Sequence, residues 1–371
     1  MDMFAEALDR LFTDHADAGP ASSSSSLPQS SVPPSSVPSS SVLPSSAPPS
    51  SIPPSSVSPG AGQAALWKAL DDDGFLDLLV PEEQGGAGLG LHHAFDALCL
   101  AGRHGIELPF VPTVLARGWC ARQGWPVPAG RIALAPAMQH SGEGGRIVLH
   151  GVAFGRWADH VLAQVGQRVL LLPTAQAQVS PALDRGSGMA DLYWPETPDD
   201  ATPRPVTGFG VPAALAAVGL ACLMAGAARK VLDMTLVHVQ TRKQFGRAIA
   251  HFQSVRSQAS VMAEQVWAMH MAARLACQTE AGLRPDAGRV MVAKARCSSS
   301  AVLVADTAHA LHGAMGLTQE YDLQRHTRHL REWRRAHGTE AYWERELGSA
   351  LLSRPSLAVA DFMVGGLNPV A

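Results

Sequence analysis

The sequence predicts a mainly α-helical protein with a small β domain in its middle: an N-terminal helical domain, a β-barrel-like domain and a C-terminal four-helix bundle. Three observations lead there. The chain has 371 residues and 46% hydrophobic content, enough for two or three packed units. Short branched-aliphatic runs, RIVLHGVAF, DHVLAQV and QRVLLLP, are confined to the stretch from about Arg131 to Trp194 and separated by Gly, Asp and Pro, as strands with tight connections are. After Pro212 four long segments carry helical periodicity. The expected boundaries are 1–130, with a serine-proline insert over 21–62, then 131–205 and 206–371.

From the N-terminus, MDMFAEALDRLF reads as a short amphipathic helix, because it carries acids where a secretory leader has a basic segment and an apolar one. Ser31 to Gly60 repeats a five-residue unit (SVPPS, SVPSS, SVLPS, SAPPS, SIPPS, SVSPG). Proline blocks helix and sheet ladders, and one aliphatic per unit cannot offset the entropy of ordering, so a solvated polyproline-like linker is expected. Ala64 to Leu79 reads as a helix on Leu66 and Leu70. The following PEEQGGAGLG, Pro81 to Gly90, matches neither GxGxxG nor GxxxxGK[ST] and follows no strand pattern, so it is read as a turn between helices rather than a phosphate cradle. The bundle helices are expected near 213–240, 251–281, 287–312 and 321–350, broken at Gly246, at Gly282 with Pro285, and at Gly313 with Gly316. Val211 to Ala228 runs 18 residues without a charge, the lower limit for a membrane span. Its dominance by Ala and Gly fits a helix buried within a bundle instead.

Composition excludes several functions. A formal net charge of −3 gives no global attraction to nucleic acid or anionic membrane. The five cysteines are widely spaced and form no CxxC pair, which signals neither zinc nor a disulfide framework and suits a reduced, cytoplasmic setting. His92 and His93 lack further ligands at metal spacing. The basic run Arg325, Arg328, His329, Arg331, Arg334 and Arg335, striped by Leu323, Leu330 and Trp333, has no interleaved stacking aromatics; a solvated face or part of a CoA-phosphate site suits it better than nucleic acid.

Two stretches carry a family resemblance: TRKQFGRAIAHFQSVRSQASVMA, Thr241 to Ala263, and HALHGAMGLTQEYDLQRHTRHLRE, His309 to Glu332. They resemble acyl-CoA dehydrogenases. The first is similar to the family's R-x-x-FG-x-x-I-x-x-FQ signature, whose arginine, phenylalanine and glutamine hold FAD at a subunit interface; here these are Arg242, Phe245 and Gln253. The second resembles the Q-x-x-GG-x-G-x-T segment against the flavin's adenosine, with Gly313 its first glycine. PEEQGGAGLG and GVAFGRWADHVLAQV resemble the family's N-terminal and middle domains. Read without the family, Arg242 is either a phosphate-gripping fork or a solvated cation at a helix end, and Phe245 is more often core than cofactor contact.

The resemblance implies an FAD-dependent α,β-dehydrogenation of an acyl-CoA thioester in lipid or steroid catabolism. It also implies a flavoprotein electron acceptor, a homo- or heterotetramer, and no membrane span or nucleic acid. It breaks down at the base. The family's glutamate lies in an EGT segment, where this chain has HGTEAYW, putting His337 before Gly338 and the cofactor-side Thr339; the other family position for it is Ala216 here. His337 is thus the candidate base, with Glu340 behind it, though a loop histidine is more often a surface or capping residue and Glu340 reads as an exposed helix start. Ala310 stands in place of the adenosine-side glutamine, Ala314 in place of the second glycine, and no TEPxxGSD segment is recognisable. A half-site subunit of a heteromeric dehydrogenase, of the kind the family uses for bulky ring-bearing thioesters, is the alternative.

Deleting Ser31 to Gly60 shortens a linker whose closure entropy changes by only about 0.6 kcal/mol per doubling of length. Thermal unfolding and assembly of the deletion variant should match those of the full chain; loss of soluble oligomer on size-exclusion chromatography would make the repeat structural.

Overall fold

A computed structural model of the chain describes residues 3–16, 61–135, 140–141, 146–165, 168–181, 188–198, 204–205, 211–280, 283–318 and 320–353. The serine-proline repeat lies outside the described residues.

Helix α1 (Met3–Ala16) buries Leu8 and Phe12 completely, as its amphipathic pattern predicts. Phe12 meets Phe110 edge-on at 5.8 Å, and His104 Nε2 lies 2.7 Å from Asp9 Oδ1. Helix α2 (Ala61–Asp72) stops seven residues before the expected Leu79, because Gly74 turns left-handed (φ +74°) and a single 3₁₀ turn, Phe75–Asp77, follows. The PEEQGGAGLG stretch folds back against the turn Leu78–Val80: Gly88 N donates to Val80 O (2.8 Å) and Leu89 N to Leu78 O (2.9 Å). A β-carbon on Gly86 would stand 2.2 Å from Val80 O, so its glycines serve a close backbone approach leading into α3 (Leu91–Arg103). Helix α4 (Phe110–Arg122), almost wholly buried, completes the N-terminal helices.

Strands β1 (Ile132–Leu134), β2 (His140–Ser141), β3 (Ile147–Val152), β4 (His160–Val165), β5 (Arg168–Pro173), β6 (Gln178–Pro181), β7 (Ala190–Trp194) and β8 (Arg204–Pro205) form two four-stranded sheets. Their orders are β1-β4-β5-β8 and β2-β3-β7-β6; only the β1–β4 pair is parallel. Val161, Leu172, Leu149, Leu192 and Trp194 fill a small core of their own. Asp159 anchors the sheet start by accepting from Arg131 Nε (3.1 Å) and Nη2 (2.7 Å).

The larger core runs without interruption from the N-terminal helices into the C-terminal ones. Its axis is α5 (Val211–Thr241), surrounded by α3, α4, α6 (Gln253–Ala276), α7 (Ala287–His312) and α8 (Leu323–Arg335). Helix α5 meets the length and composition of a membrane span, yet 89% of its apolar window is buried in the protein. Its small residues do what the sequence suggests. A β-carbon on Gly102 of α3 would lie 2.0 Å from Leu223 O, and one on Gly226 of α5 would lie 1.9 Å from Cys99 O, so each helix admits the other's backbone at a glycine. All five cysteines are buried thiols outside any disulfide.

One helix was expected over 321–350, and two are present: α8 ends at Arg335 and α9 (Glu340–Leu352) begins after a turn. His337 (φ +55°) and Gly338 (φ +94°) are both left-handed, which no α-helix accommodates. The basic run on α8 is largely engaged: Arg325 Nη2 donates to Gly105 O (2.9 Å), Arg331 pairs with Asp306 (2.6 Å) and Arg334 with Glu340, while Leu323, Leu330 and Trp333 are buried. Among the described residues no group of His, Cys, Asp and Glu is placed to hold a metal.

Gly226→Ala should cost about 3 kcal/mol, since neither backbone can yield, seen as a lower denaturant midpoint at unchanged slope. Gly348→Ala on α9, with nothing within 4 Å of the new β-carbon, should leave stability the same or raise it by roughly 0.5–1 kcal/mol.

Candidate active site

Helix α4, the sheets and α5 line a cavity partly open to solvent, with an empty volume of about 250 Å³ that includes its mouth. Val111, Pro112 and Leu115 line it from α4, Leu134, Ala153 and Phe154 from the β region, and Ala216, Gly219, Leu220 and Leu223 from α5. Among the described residues its single titratable lining residue is His337. Ala216 and His337, the two positions at which the resemblance places a catalytic carboxylate, thus share one cavity, and among the described residues no carboxylate stands in its wall.

His337 is not the surface or capping residue that its loop position suggests. It is buried at 7% exposure, and its backbone is pinned on both sides: Trp343 Nε1 donates to His337 O (2.9 Å), and Lys294 Nζ donates to Gly338 O (2.8 Å). Its Nδ1 is buried without a hydrogen-bond partner. Burial, reinforced by the Lys294 charge, pushes its imidazole down to about 3, so it is neutral near pH 7. Glu340 opens α9 as expected but is paired rather than free: Arg334 Nε donates to its Oε2 (2.9 Å), and this bond holds its carboxyl below the usual carboxylate range. Thr339 precedes α9 half-buried, and its hydroxyl caps no backbone N–H.

Phe154 lies across the cavity, 5% exposed and left-handed at φ +62°. For a bulky side chain this backbone is strained by roughly 1–3 kcal/mol, held by surrounding packing. Nothing in the sequence marks it, since strain is a property of the fold.

The remaining predicted residues gather at the other end of α5. Phe245 is not core: it is 90% exposed, left-handed at φ +52°, in the tight turn between Lys243–Gln244 and Arg247–Ala248. Arg242 is exposed beside it, held only through its backbone, with its N donating to His238 O (2.8 Å). Exposed Gln253 begins α6 and accepts from Arg256 Nη2 (3.0 Å). Gly313 ends α7 at φ +61°, exposed, with open space where a β-carbon would be. His238 and His312 stack at 4.3 Å, tying the Arg242 turn to the Gly313 turn within one chain. Ala216 and Arg242 are 26 positions apart along α5 and its end, roughly 39 Å at helical rise. The structure therefore sets His337 in the cavity wall, with Thr339 two residues on and outside the lining, apart from a helix-end group, Arg242, Phe245, Gln253 and Gly313.

Residues 213–352 match the family model described as acyl-CoA dehydrogenase, C-terminal domain. The acyl-CoA dehydrogenase IpdE2 of Mycolicibacterium smegmatis is 27% identical over 280 residues, covering 74% of this chain and 82% of that protein. In fold the chain is similar to a subunit of the ChsE4-ChsE5 complex from Mycobacterium tuberculosis, with a TM-score of 0.70 at 21% identity over 95% of this chain and 98% of the other. It is likewise similar to the Tcur3481-Tcur3483 steroid ACAD, with a TM-score of 0.71 at 21% identity over the same shares. The match spans the helices that carry both residue groups, so residues 213–352 are similar to the C-terminal domain of acyl-CoA dehydrogenases.

Proposed function

We propose that the chain is a subunit of a heteromeric, FAD-dependent acyl-CoA dehydrogenase, furnishing an acyl pocket and half of a shared flavin site while a partner subunit supplies the base. The observation that carries this reading is the cavity wall, in which His337 is the only ionisable residue among those described and Ala216 fills the other base position. The apolar walls fit an acyl chain. An α-proton is removed best by a base whose conjugate acid lies near working pH. His337, held near 3, lies about four pH units below neutrality, so it accepts that proton against a steep gradient. Its neutral ring is better suited to present one N–H or one lone pair to a bound thioester than to keep a proton.

The helix-end residues fit a dinucleotide. Arg242 offers a guanidinium fork to a phosphate, Phe245 an exposed ring, and Gln253 an amide, beside the open Gly313 turn. Bound FAD supplies the acceptor for the β-hydrogen as hydride. Leu223, the cavity residue on α5 nearest to Arg242 in sequence, is 19 positions from it, roughly 28 Å at helical rise. One chain's cavity and another chain's Arg242 turn are assigned to the same flavin, with Thr339 on the cavity side. A tetramer of paired subunits in the cytoplasm, an electron-accepting flavoprotein, and domain limits at 130 and 205 complete the reading.

Arg242→Ala should lower the visible flavin absorbance of the purified assembly several-fold while leaving the unfolding midpoint in place; unchanged flavin content would remove Arg242 from the cofactor site.

Mixing the chain with a paralogous acyl-CoA dehydrogenase subunit should raise flavin reduction by acyl-CoA on the order of 10²–10⁴-fold above either alone, the contribution typical of a positioned base. His337→Ala should change that rate little. Rapid reduction by the isolated chain, abolished by His337→Ala, makes His337 the base and ends the half-site reading.

A further inference from the structure

Lys294 lies on α7 with 0% exposure, and no carboxylate is bonded to it. A buried ammonium without a carboxylate is costly unless its donors are all placed. Its three protons meet three acceptors: Ser298 Oγ (2.9 Å), Gly338 O (2.8 Å) and Arg334 O (3.3 Å). Arg334 O belongs to the last turn of α8, and Gly338 O lies in the left-handed turn that ends it. One side chain therefore bridges the end of a helix to the residue after His337, where the backbone would otherwise extend the helix or open to solvent.

We propose that Lys294 is a positioning residue for the cavity: by gripping the Arg334 and Gly338 carbonyls it holds the left-handed His337–Gly338 turn that sets the imidazole into the cavity wall. The geometry is reinforced from the opposite side, where Trp343 Nε1 grips His337 O. Removing only the Lys294 grip leaves Gly338 O without that donor and Arg334 O with only Ser298 Oγ at 3.5 Å, and the turn relieves the loss by rotating toward water, carrying His337 with it. The charges around Lys294 are few. Cys297 and Glu340 favour its protonated form and Arg334 opposes it; burial dominates and draws the amine down to about 7. Either protonation state serves the clamp. The neutral amine still donates to both carbonyls while Ser298 Oγ donates to its lone pair.

The inference concerns the turn itself, and its effect on ligand rests on the reading of the cavity as an acyl pocket. Two variants of the full chain test it. Lys294→Met keeps the stem and removes every donor; Lys294→Gln removes the charge but keeps two N–H donors. The readouts are the NMR titration of the His337 imidazole, octanoyl-CoA affinity by calorimetry, and the unfolding midpoint. In the parent chain His337 should show no titration between pH 5 and 8. Both variants remove the Lys294 charge that lowers His337, so the clamp is read from the difference between them: in Lys294→Met, which also loses every donor, His337 should titrate at least one unit above its value in Lys294→Gln, with octanoyl-CoA bound about tenfold more weakly.

A lower unfolding midpoint in Lys294→Met with His337 still silent and affinity unchanged overturns the proposal and leaves Lys294 a packing residue. Should Lys294→Met fail to fold, Lys294→Ala takes its place in the same comparison, a His337 titration equal to that in Lys294→Gln counting against the clamp. A parent chain that does not bind octanoyl-CoA sinks the acyl-pocket reading alone, because the His337 titration still reports on the turn.

Discussion

The structure depends on one close approach. Gly102 and Gly226 let α3 and α5 come together until a β-carbon at either site would collide with the facing carbonyl oxygen. Everything else is arranged around the helix so fixed. Its N-terminal half presents Ala216, Gly219, Leu220 and Leu223 to the cavity, and its C-terminal end carries His238 and the Arg242 turn. Because α5 is buried on nearly all sides, its sequence shows no amphipathic stripe, and the same uniform apolarity that resembles a membrane span is what a bundle axis requires.

Around the cavity the controlling effect is desolvation. Lys294 and His337 are both ionisable, both buried, and drawn toward their neutral forms by burial above any other cause. The two like-charged groups also oppose each other, since the Lys294 charge lowers His337 further. The nearby carboxylate, Glu340, is engaged by Arg334 and offers no counter-charge to the imidazole. In an apolar cavity a neutral histidine is tolerated because it needs only one or two hydrogen bonds, whereas an unpaired carboxylate would need its proton or a cation. The packing that buries His337 is thus the same packing that weakens its imidazole as a proton acceptor.

Much of the architecture was legible from periodicity. The buried stripe of α1, the strands confined to the middle of the chain, and three of the four predicted bundle helices fall within a few residues of the expected limits. The misses share one cause, which is left-handed backbone. Gly74 ends α2 early, and the His337–Gly338 pair divides the last predicted helix in two. His337 and Phe154 are non-glycine residues in that region, so residue type gave no warning. At the site, Ala216, His337 and the Arg242 turn were found through family-like spacing. Lys294 went unnoticed because one lysine in an apolar helix reads as a solvated cation, and only three-dimensional packing shows three acceptors closing on it.

The separation of the two residue groups has a structural consequence. A helix of fixed rise cannot bring Ala216 and Arg242 to one point, and no bend in α5 brings them there, since its hydrogen-bonded ladder runs unbroken from Val211 to Thr241. In the proposed shared site one flavin touches both a cavity and a phosphate-gripping arginine, and the arginine comes from a second chain. Exposure agrees with that assignment. His337 is buried within its own chain, whereas Arg242, Phe245, Gln253 and Gly313 are all exposed, and Phe245 holds a strained backbone while presenting 90% of its surface. Within its own chain the Phe245 ring meets Phe252 edge-on at 6.0 Å and leaves its face open, which is the arrangement the proposed shared flavin site requires of a second chain. The rigid axis thus supports a reading in which the two residue groups act across a subunit interface rather than within one chain.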